Sequence, residues 1–143
     1  MKQLISLVCD KMNSDHTTIR KILLSWVELF SSIPNINLLN QMSRLLPPLL
    51  TYVADKDDDI RQGAQKQLEE FLSEFKALGE NREAPMDEEI LRTLVNFYNR
   101  NEFREDIICR SCVLAWTCNF LYFLETDAQR EPPASPGNVG LLD

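Results

Sequence analysis

The stretch PPLLTYVADKDDDIRQGAQKQLEEFL (Pro47–Leu72) joins two helix-spaced apolar runs through an acidic turn. In the first run Leu38, Leu39, Met42, Leu45, Leu46, Leu49, Leu50 and Val53 recur at three- and four-residue spacings, one face of a helix. Pro47 and Pro48 lie inside it. Each removes a backbone donor and crowds the preceding turn, so the pattern predicts a kinked helix. The turn runs from Asp55 to Asp59, and Asp57, Asp58 and Asp59 suit the positive end of the helix that follows. Ile60, Ala64, Leu68, Phe71, Leu72 and Phe75 mark that helix's apolar face, and Gly79 is its expected stop.

Part of this unit recurs. Arg61 is followed ten residues later by Phe71, as Arg20 is by Phe30 and Arg110 by Phe120. Ile19, Ile60 and Cys109 precede the three arginines, and Trp26 and Trp116 share an offset in two of the units. The units start 41 and 49 residues apart, a spacing that with helical periodicity points to armadillo or HEAT repeats. The expected fold is an all-α superhelix, an armadillo/HEAT-like solenoid of about three helix pairs, within residues 1–125. The pairs are expected at about 2–31, 36–77 and 87–125. Such stacks hold other proteins along their surface.

The first unit opens with a short helix, with Leu4, Ile5, Val8 and Met12 inward. Ser14 or Asp15 is the expected cap of the next helix, which turns Ile19, Ile22, Leu23, Trp26, Val27 and Phe30 inward. Ile33-Pro34-Asn35 ends the unit. The third unit follows a polar loop, Glu80–Pro85. Asp87-Glu88-Glu89 opens a helix with Ile90, Leu91, Leu94, Val95 and Tyr98 inward, and a turn at Asn99–Glu102 leads to a last helix over Glu105–Leu124. Residues 126–143 hold Pro132, Pro133, Pro136, Gly137 and Gly140 without periodicity, and a disordered tail is expected there.

The 143 residues are 44 % hydrophobic, enough for one domain with a sizeable core. A net charge of −7 argues against nucleic-acid binding, which needs a basic face, and less strongly against direct docking on anionic lipid. Met1–Met12 has no long apolar run, so no signal peptide is expected. Val113–Leu124, the most apolar segment, reads as too short to span a bilayer. Three of the four cysteines share one apolar helix, which points to a reducing, cytoplasmic setting.

Catalytic, cofactor and metal signals are absent from the reading. Cys109-x-x-Cys112 lacks a second pair and reads as small buried residues. Asp55-x-Asp57-x-Asp59 begins like a calcium loop, but Ile60 and Lys66 stand where glycine and glutamate are needed. His16, the only histidine, has no nucleophile at a recognisable spacing. The carboxylates Glu69-Glu70, Glu88-Glu89, Glu102 and Glu105 read as ordinary exposed helix residues. Ser135-Pro136 is a weak phosphorylation motif. The chain therefore reads as a non-enzyme.

In the HEAT pattern a proline stands fourteen residues before the arginine and an aspartate six before it. Pro47 and Asp55 satisfy both, and the resemblance implies that Asp55 and Arg61 join a polar ladder between repeats. The outer units depart from it, with Ser6 and Asn96 at the proline position and Ser14 and Arg104 at the aspartate position. Ser25-Trp26, the run Ser32-Ile33-Pro34-Asn35-Ile36-Asn37-Leu38-Leu39, the turn Asp59-Ile60-Arg61 and Leu68-x-x-Phe71-Leu72-x-Glu74 carry a narrower likeness. Together they resemble the vacuole-morphology scaffold family called, in words, Vac fourteen, over about Ile19 to Phe123. Cys112-x3-Trp116 resembles it more weakly.

That resemblance implies a scaffold of the PIKfyve phosphatidylinositol 3-phosphate 5-kinase complex, which controls phosphatidylinositol 3,5-bisphosphate on endosomes and vacuoles. It implies a kinase and an antagonistic lipid phosphatase as partners, self-association, and membrane location only through partners. The family is much longer than this chain, so an internal slice, a short relative or a fragmentary gene product is expected. The other reading is a generic HEAT adaptor of a phosphatase or transport complex.

The last helix is apolar nearly all round, whereas a terminal repeat should carry a polar cap. Either something stacks on it, or the tail with Val139, Leu141 and Leu142 covers it. Leu114, Trp116, Leu121, Tyr122 and Phe123 are the expected protein-interaction face. Trp26 reads as core, and Trp116 as core or anchor.

Overall fold

Six α-helices and one 3₁₀ turn make up the described residues (1–80, 88–100 and 104–129) of the computed structural model. They are α1 (Lys2–Lys11), α2 (Thr17–Ser32), a 3₁₀ turn (Leu38–Gln41), α3 (Met42–Val53), α4 (Asp58–Glu80), α5 (Glu88–Asn99) and α6 (Ile107–Gln129). Helices pack in consecutive pairs, α1 on α2, α3 on α4 and α5 on α6. The pairs stack side by side, so that α1, α3 and α5 form one layer and α2, α4 and α6 the other. This is an all-α, solenoid-like stack of three pairs.

α3 is the centre of the stack. Met42, Leu45, Leu46, Pro48, Leu49, Leu50, Tyr52 and Val53 are all buried, which covers more than one face. A helix apolar on several sides must be enclosed, and α1, α4, α5 and α6 enclose this one. Helical structure continues through Pro47 and Pro48 to Val53, and the change of helix type falls earlier, where the 3₁₀ turn meets α3 at Gln41–Met42. The Tyr52 hydroxyl donates to the Met12 carbonyl at 2.5 Å, tying α3 to the end of α1. Burial pushes the phenol up to about 12, so it holds its proton at all physiological pH.

The turn between the first two units explains the Ile33–Leu39 string. Pro34 lacks the donor needed to continue α2. Asn35 takes a φ of 71°, the left-handed region that asparagine tolerates better than most residues. The Asn37 side chain then accepts from the Leu39 N–H at 3.0 Å and opens the 3₁₀ turn. Carboxylates open two later helices in the same way. Asp57 accepts from the N–H groups of Asp59 and Ile60, and Asp106 accepts from that of Cys109 at 2.9 Å.

Several sequence expectations need correction. His16, and neither Ser14 nor Asp15, occupies the α2 cap position; the Ser14 hydroxyl instead accepts from the His16 N–H at 3.3 Å. Leu4 faces out, while Cys9 joins Ile5, Val8 and Met12 in the core. In α2 the buried stripe is Leu24, Val27 and Phe30; Ile19, Ile22 and Trp26 are exposed, Trp26 by 40 % and leaning on Phe30 at 5.6 Å. In α5 Phe97 turns inward, and Val95 and Tyr98 turn out. The reason is shared: α2 and α5 carry apolar residues on two faces, and period alone does not say which face meets the neighbouring layer. α4 passes Gly79 to Glu80, and α6 starts at Ile107 and extends to Gln129, past the expected start of the tail. The rest of that tail, and most of the two polar connections around the third unit, lie outside the described residues.

Tyr52→Phe deletes a buried donor and leaves the Met12 carbonyl unpaired, so it should cost about 1–3 kcal/mol with the helix content unchanged. Urea unfolding followed by circular dichroism measures this.

Candidate protein-interaction surface

The three repeat arginines make one contact in common. Each guanidinium donates to the backbone carbonyl six residues earlier: Arg20 to Ser14 at 3.1 Å, Arg61 to Asp55 at 2.9 Å and Arg110 to Arg104 at 3.0 Å. A carbonyl is present whatever the side chain, which is why the outer units keep this clamp without the aspartate. The clamp closes the turn within each pair.

Contacts between units use side chains. Arg20 of the first unit reaches the Asp55 carboxylate of the second with two donors, at 2.9 and 3.3 Å. Both groups are largely sheltered from solvent, where a two-donor guanidinium–carboxylate pair is strongest. Beside it Lys21 bridges Asp57 and Asp59, each at 2.9 Å. Asp55 thus receives the preceding unit's arginine on its carboxylate and its own unit's Arg61 on its carbonyl. Arg61 and the third unit's turn form no such guanidinium–carboxylate pair among the described residues. Arg104 stands at the aspartate position, and Arg61 pairs with Asp58 of its own turn. Arg110 lies over the Tyr98 ring, 5.4 Å from its centre.

Close approach supports the first joint. A Cβ at Gly63 of α4 would fall 2.8 Å from Leu24 Cδ2 of α2, so glycine lets the two helices meet. At the second joint α4 and α6 leave a groove of about 380 Å³, lined by Leu68, Leu72, Ile108, Cys112 and Trp116 among others.

α6 divides into two faces. Cys109, Val113, Trp116, Phe120 and Phe123 point inward. Trp116 is 1 % exposed and Phe123 7 %, and both pack on Phe75, at 5.9 and 5.6 Å. Neither therefore belongs to an exposed contact face, which corrects the sequence expectation for these two. Leu114, Leu121 and Tyr122 are exposed, Tyr122 by 61 %. The sequence reading missed a second exposed stripe on α2, formed by Ile19, Ile22, Trp26 and Leu29. Its three- and four-residue spacing is legible, but the sequence reading turns Ile19, Ile22 and Trp26 inward and does not name Leu29.

Over Ile107–Glu125, 19 residues, α6 is long and apolar enough to cross a membrane by length and composition. The sequence expectation concerned Val113–Leu124 alone; the helix begins earlier, at Ile107, and a core helix of a soluble protein meets the same criterion. Here its inward face packs on α3, α4 and α5.

Cys109 and Cys112 carry little reactivity. Burial pushes the Cys109 thiol up to about 12, its sulfur 3.6 Å from the Leu50 carbonyl, and also raises Cys112. Among the described residues no three His, Cys, Asp or Glu side chains gather as a metal site.

Over 76 residues, 53 % of its length, the chain is 32 % identical to a protein named VAC14 homolog from Arabidopsis thaliana. A VAC14 homolog of Schizosaccharomyces pombe is 27 % identical over 78 residues. The chain is VAC14-like over that half, and the matched part spans about 10 % of each relative. No protein-family model matches the chain, and no solved structure matches it significantly.

Two predictions follow from this geometry. Leu121→Asp on the exposed face should shift stability by at most about 0.5 kcal/mol, whereas Trp116→Ala should cost about 3–5 kcal/mol; chemical denaturation separates them. The second concerns the Lys21 bridge. Hydrogen bonding to Lys21 holds the Asp57 carboxyl below its ordinary 3.8, and bonding to Asp57 and Asp59 raises Lys21 above its ordinary 10.5. The bridge therefore stabilises the fold between these values. Its contribution is lost as pH falls through the lowered Asp57 value, and as pH rises through the raised Lys21 value. The melting temperature of Lys21→Met should lie below that of the unmodified chain at pH 7, and the difference should shrink as pH falls through the lowered Asp57 value.

Proposed function

We propose that this chain is a non-catalytic HEAT-repeat scaffold unit. It serves a complex built on a phosphatidylinositol 3-phosphate 5-kinase, and so supports phosphatidylinositol 3,5-bisphosphate synthesis. The observation that carries the reading is the likeness to two VAC14 homologues over half the chain. The geometry is compatible with it: helix pairs stacked in register, with uncharged apolar residues left outward on the last helix. A lipid phosphatase is a second proposed partner. The chain is placed in the cytoplasm, on endosome or vacuole membranes through its partners, since its net charge of −7 disfavours direct binding to anionic lipid.

One observation favours the generic adaptor instead. The likeness spans only about a tenth of each relative, so it carries no more than the helical-repeat character that a generic adaptor shares.

A pull-down of the chain from its own cell lysate, read by mass spectrometry beside Leu121→Asp, tests the proposal. A FYVE-type lipid kinase should be recovered with the unmodified chain and lost with the variant. Recovery of unrelated proteins only would assign the generic adaptor.

A further inference from the structure

The furrow between neighbouring units changes chemistry from the first joint to the second. Between α2 and α4 it is polar, lined by Glu28, Ser31, Lys66, Gln67 and Glu70 among others. Moved forward by the 41- and 49-residue spacings of the units, Ser31 becomes Leu72, Lys66 becomes Ala115 and Gln67 becomes Trp116. All three line the groove of about 380 Å³ between α4 and α6. A polar furrow is at home in water. A largely apolar one of this volume lies at the small end of ligand sites, roughly 300–1,000 Å³.

Two groups that complete the first joint are missing from the second. One is an aliphatic side chain. Leu24 of α2 fills the first joint so closely that a Cβ at Gly63 would lie 2.8 Å from its Cδ2. The register equivalents of this pair are Gln65 and Cys112, and both line the groove. Gln65 turns along its own helix instead, where its amide donates to Glu69 at 3.4 Å. The other missing group is an acceptor. Gln67 is 1 % exposed, and its amide donates to Glu70 at 3.3 Å. At the equivalent positions Trp116 is equally buried, while Asn119 uses its amide to donate to the Ala115 carbonyl at 2.7 Å. Trp116 Nε1–H is left without a partner, the one such buried side-chain nitrogen or oxygen among the described residues. A buried donor is costly to leave unpaired, so an acceptor brought to it is favoured.

We propose that the α4–α6 groove binds a partner peptide segment through one leucine-type side chain, whose neighbouring backbone carbonyl accepts from Trp116 Nε1. The side chain takes the place that Leu24 fills at the first joint, against Leu68, Leu72 and Ile108. The carbonyl does for Trp116 what Glu70 does for Gln67. Trp116 is covered in the free chain, so the lining opens as the carbonyl arrives. Charge selects the flanks of the segment. Glu69 borders the groove, and it and Asp106 lie near enough to Cys112 to raise that thiol beyond the effect of burial. No lysine or arginine stands among the described lining residues. A lysine or arginine beside the leucine therefore meets opposite charge, and an acidic flank is repelled. The same carboxylates and the net charge of −7 disfavour a lipid with an anionic head. The groove is distinct from the outward α6 face of Leu114 and Leu121, so the inference does not rest on the proposed scaffold role.

Proton–nitrogen NMR of the isotope-labelled full chain tests the proposal. Trp26 and Trp116 are its only tryptophans, and Trp26→Phe assigns the two indole signals. The probe is an acetylated, amidated Lys-Gly-Leu-Gly-Lys peptide at millimolar concentration. The Trp116 indole proton should move downfield and saturate, with the Trp26 signal unmoved. Replacing the peptide's leucine by alanine should weaken binding about tenfold or more, for want of the buried hydrocarbon. Replacing both its lysines by glutamate should abolish binding. Gln65→Leu puts the first-joint residue into the groove and should block the peptide with the helix content unchanged. Ala115→Leu repeats the block from α6; neither position is buried. Glu69→Lys should weaken the lysine peptide and admit the glutamate one. A Trp116 signal that does not respond overturns the proposal. So does a response that survives both blocking variants, or equal binding of the two charged peptides. A larger response to phosphatidylcholine vesicles than to the peptide would make a lipid the occupant. A shift that grows with chain concentration alone would make it a second copy, and one that follows shortening the chain at Gln129 would make it the C-terminal segment. Each of these three results overturns the assignment to a partner peptide.

Discussion

Enclosure of α3 is the constraint on which the rest depends. Eight of its residues are buried and they cover more than one face, so no single partner helix satisfies it. α1 and α5 flank it within its own layer, while α4 and α6 cover it from the other. The three pairs are therefore one cooperative object around a shared helix. The Tyr52 hydroxyl on the Met12 carbonyl and the Cys109 thiol near the Leu50 carbonyl give that apolar centre two polar attachments, one to each outer unit.

Around this centre the units repeat in backbone chemistry more faithfully than in sequence. Three arginines close three turns on carbonyls six residues back, although the side chains there are serine, aspartate and arginine. The side-chain link between units is less well kept. Arg20 meets Asp55 between the first and second units, while between the second and third Arg104 stands in place of the acceptor and the described residues show no equivalent pair. The open groove between α4 and α6 lies at that weaker joint. A contact to a main-chain atom survives substitution, while a contact between two side chains needs both partners.

Function in such a stack resides in what its end helices present. α6 spends one stripe on the core and leaves another outward, and α2 does the same at the opposite end. Nothing in either stripe calls for reactive chemistry: the residues are aliphatic or aromatic, and the cysteine thiols nearest the core are held protonated. The proposed scaffold role would rest on these two outward stripes.

By itself the sequence determined the helical class, the repeat spacing and two of the turns, at Pro34-Asn35 and Asp55–Asp59. These rest on local rules: the three- and four-residue spacing around Leu45–Val53 and Ile60–Phe75, the Pro34-Asn35 break, and the acidic caps. It also made the double-faced character of α6 plain. Only the tertiary structure decided which face goes inward. Trp26 and Trp116 share an offset from their arginines, yet Trp116 is buried on Phe75 while Trp26 is 40 % exposed. The repeat pattern is the same for both; the difference is that α4 lies against that side of α6, and no described helix lies against the matching side of α2. Burial depends on neighbours brought from distant sequence, so a periodic stripe states that a face is apolar, and packing alone states whether it is covered.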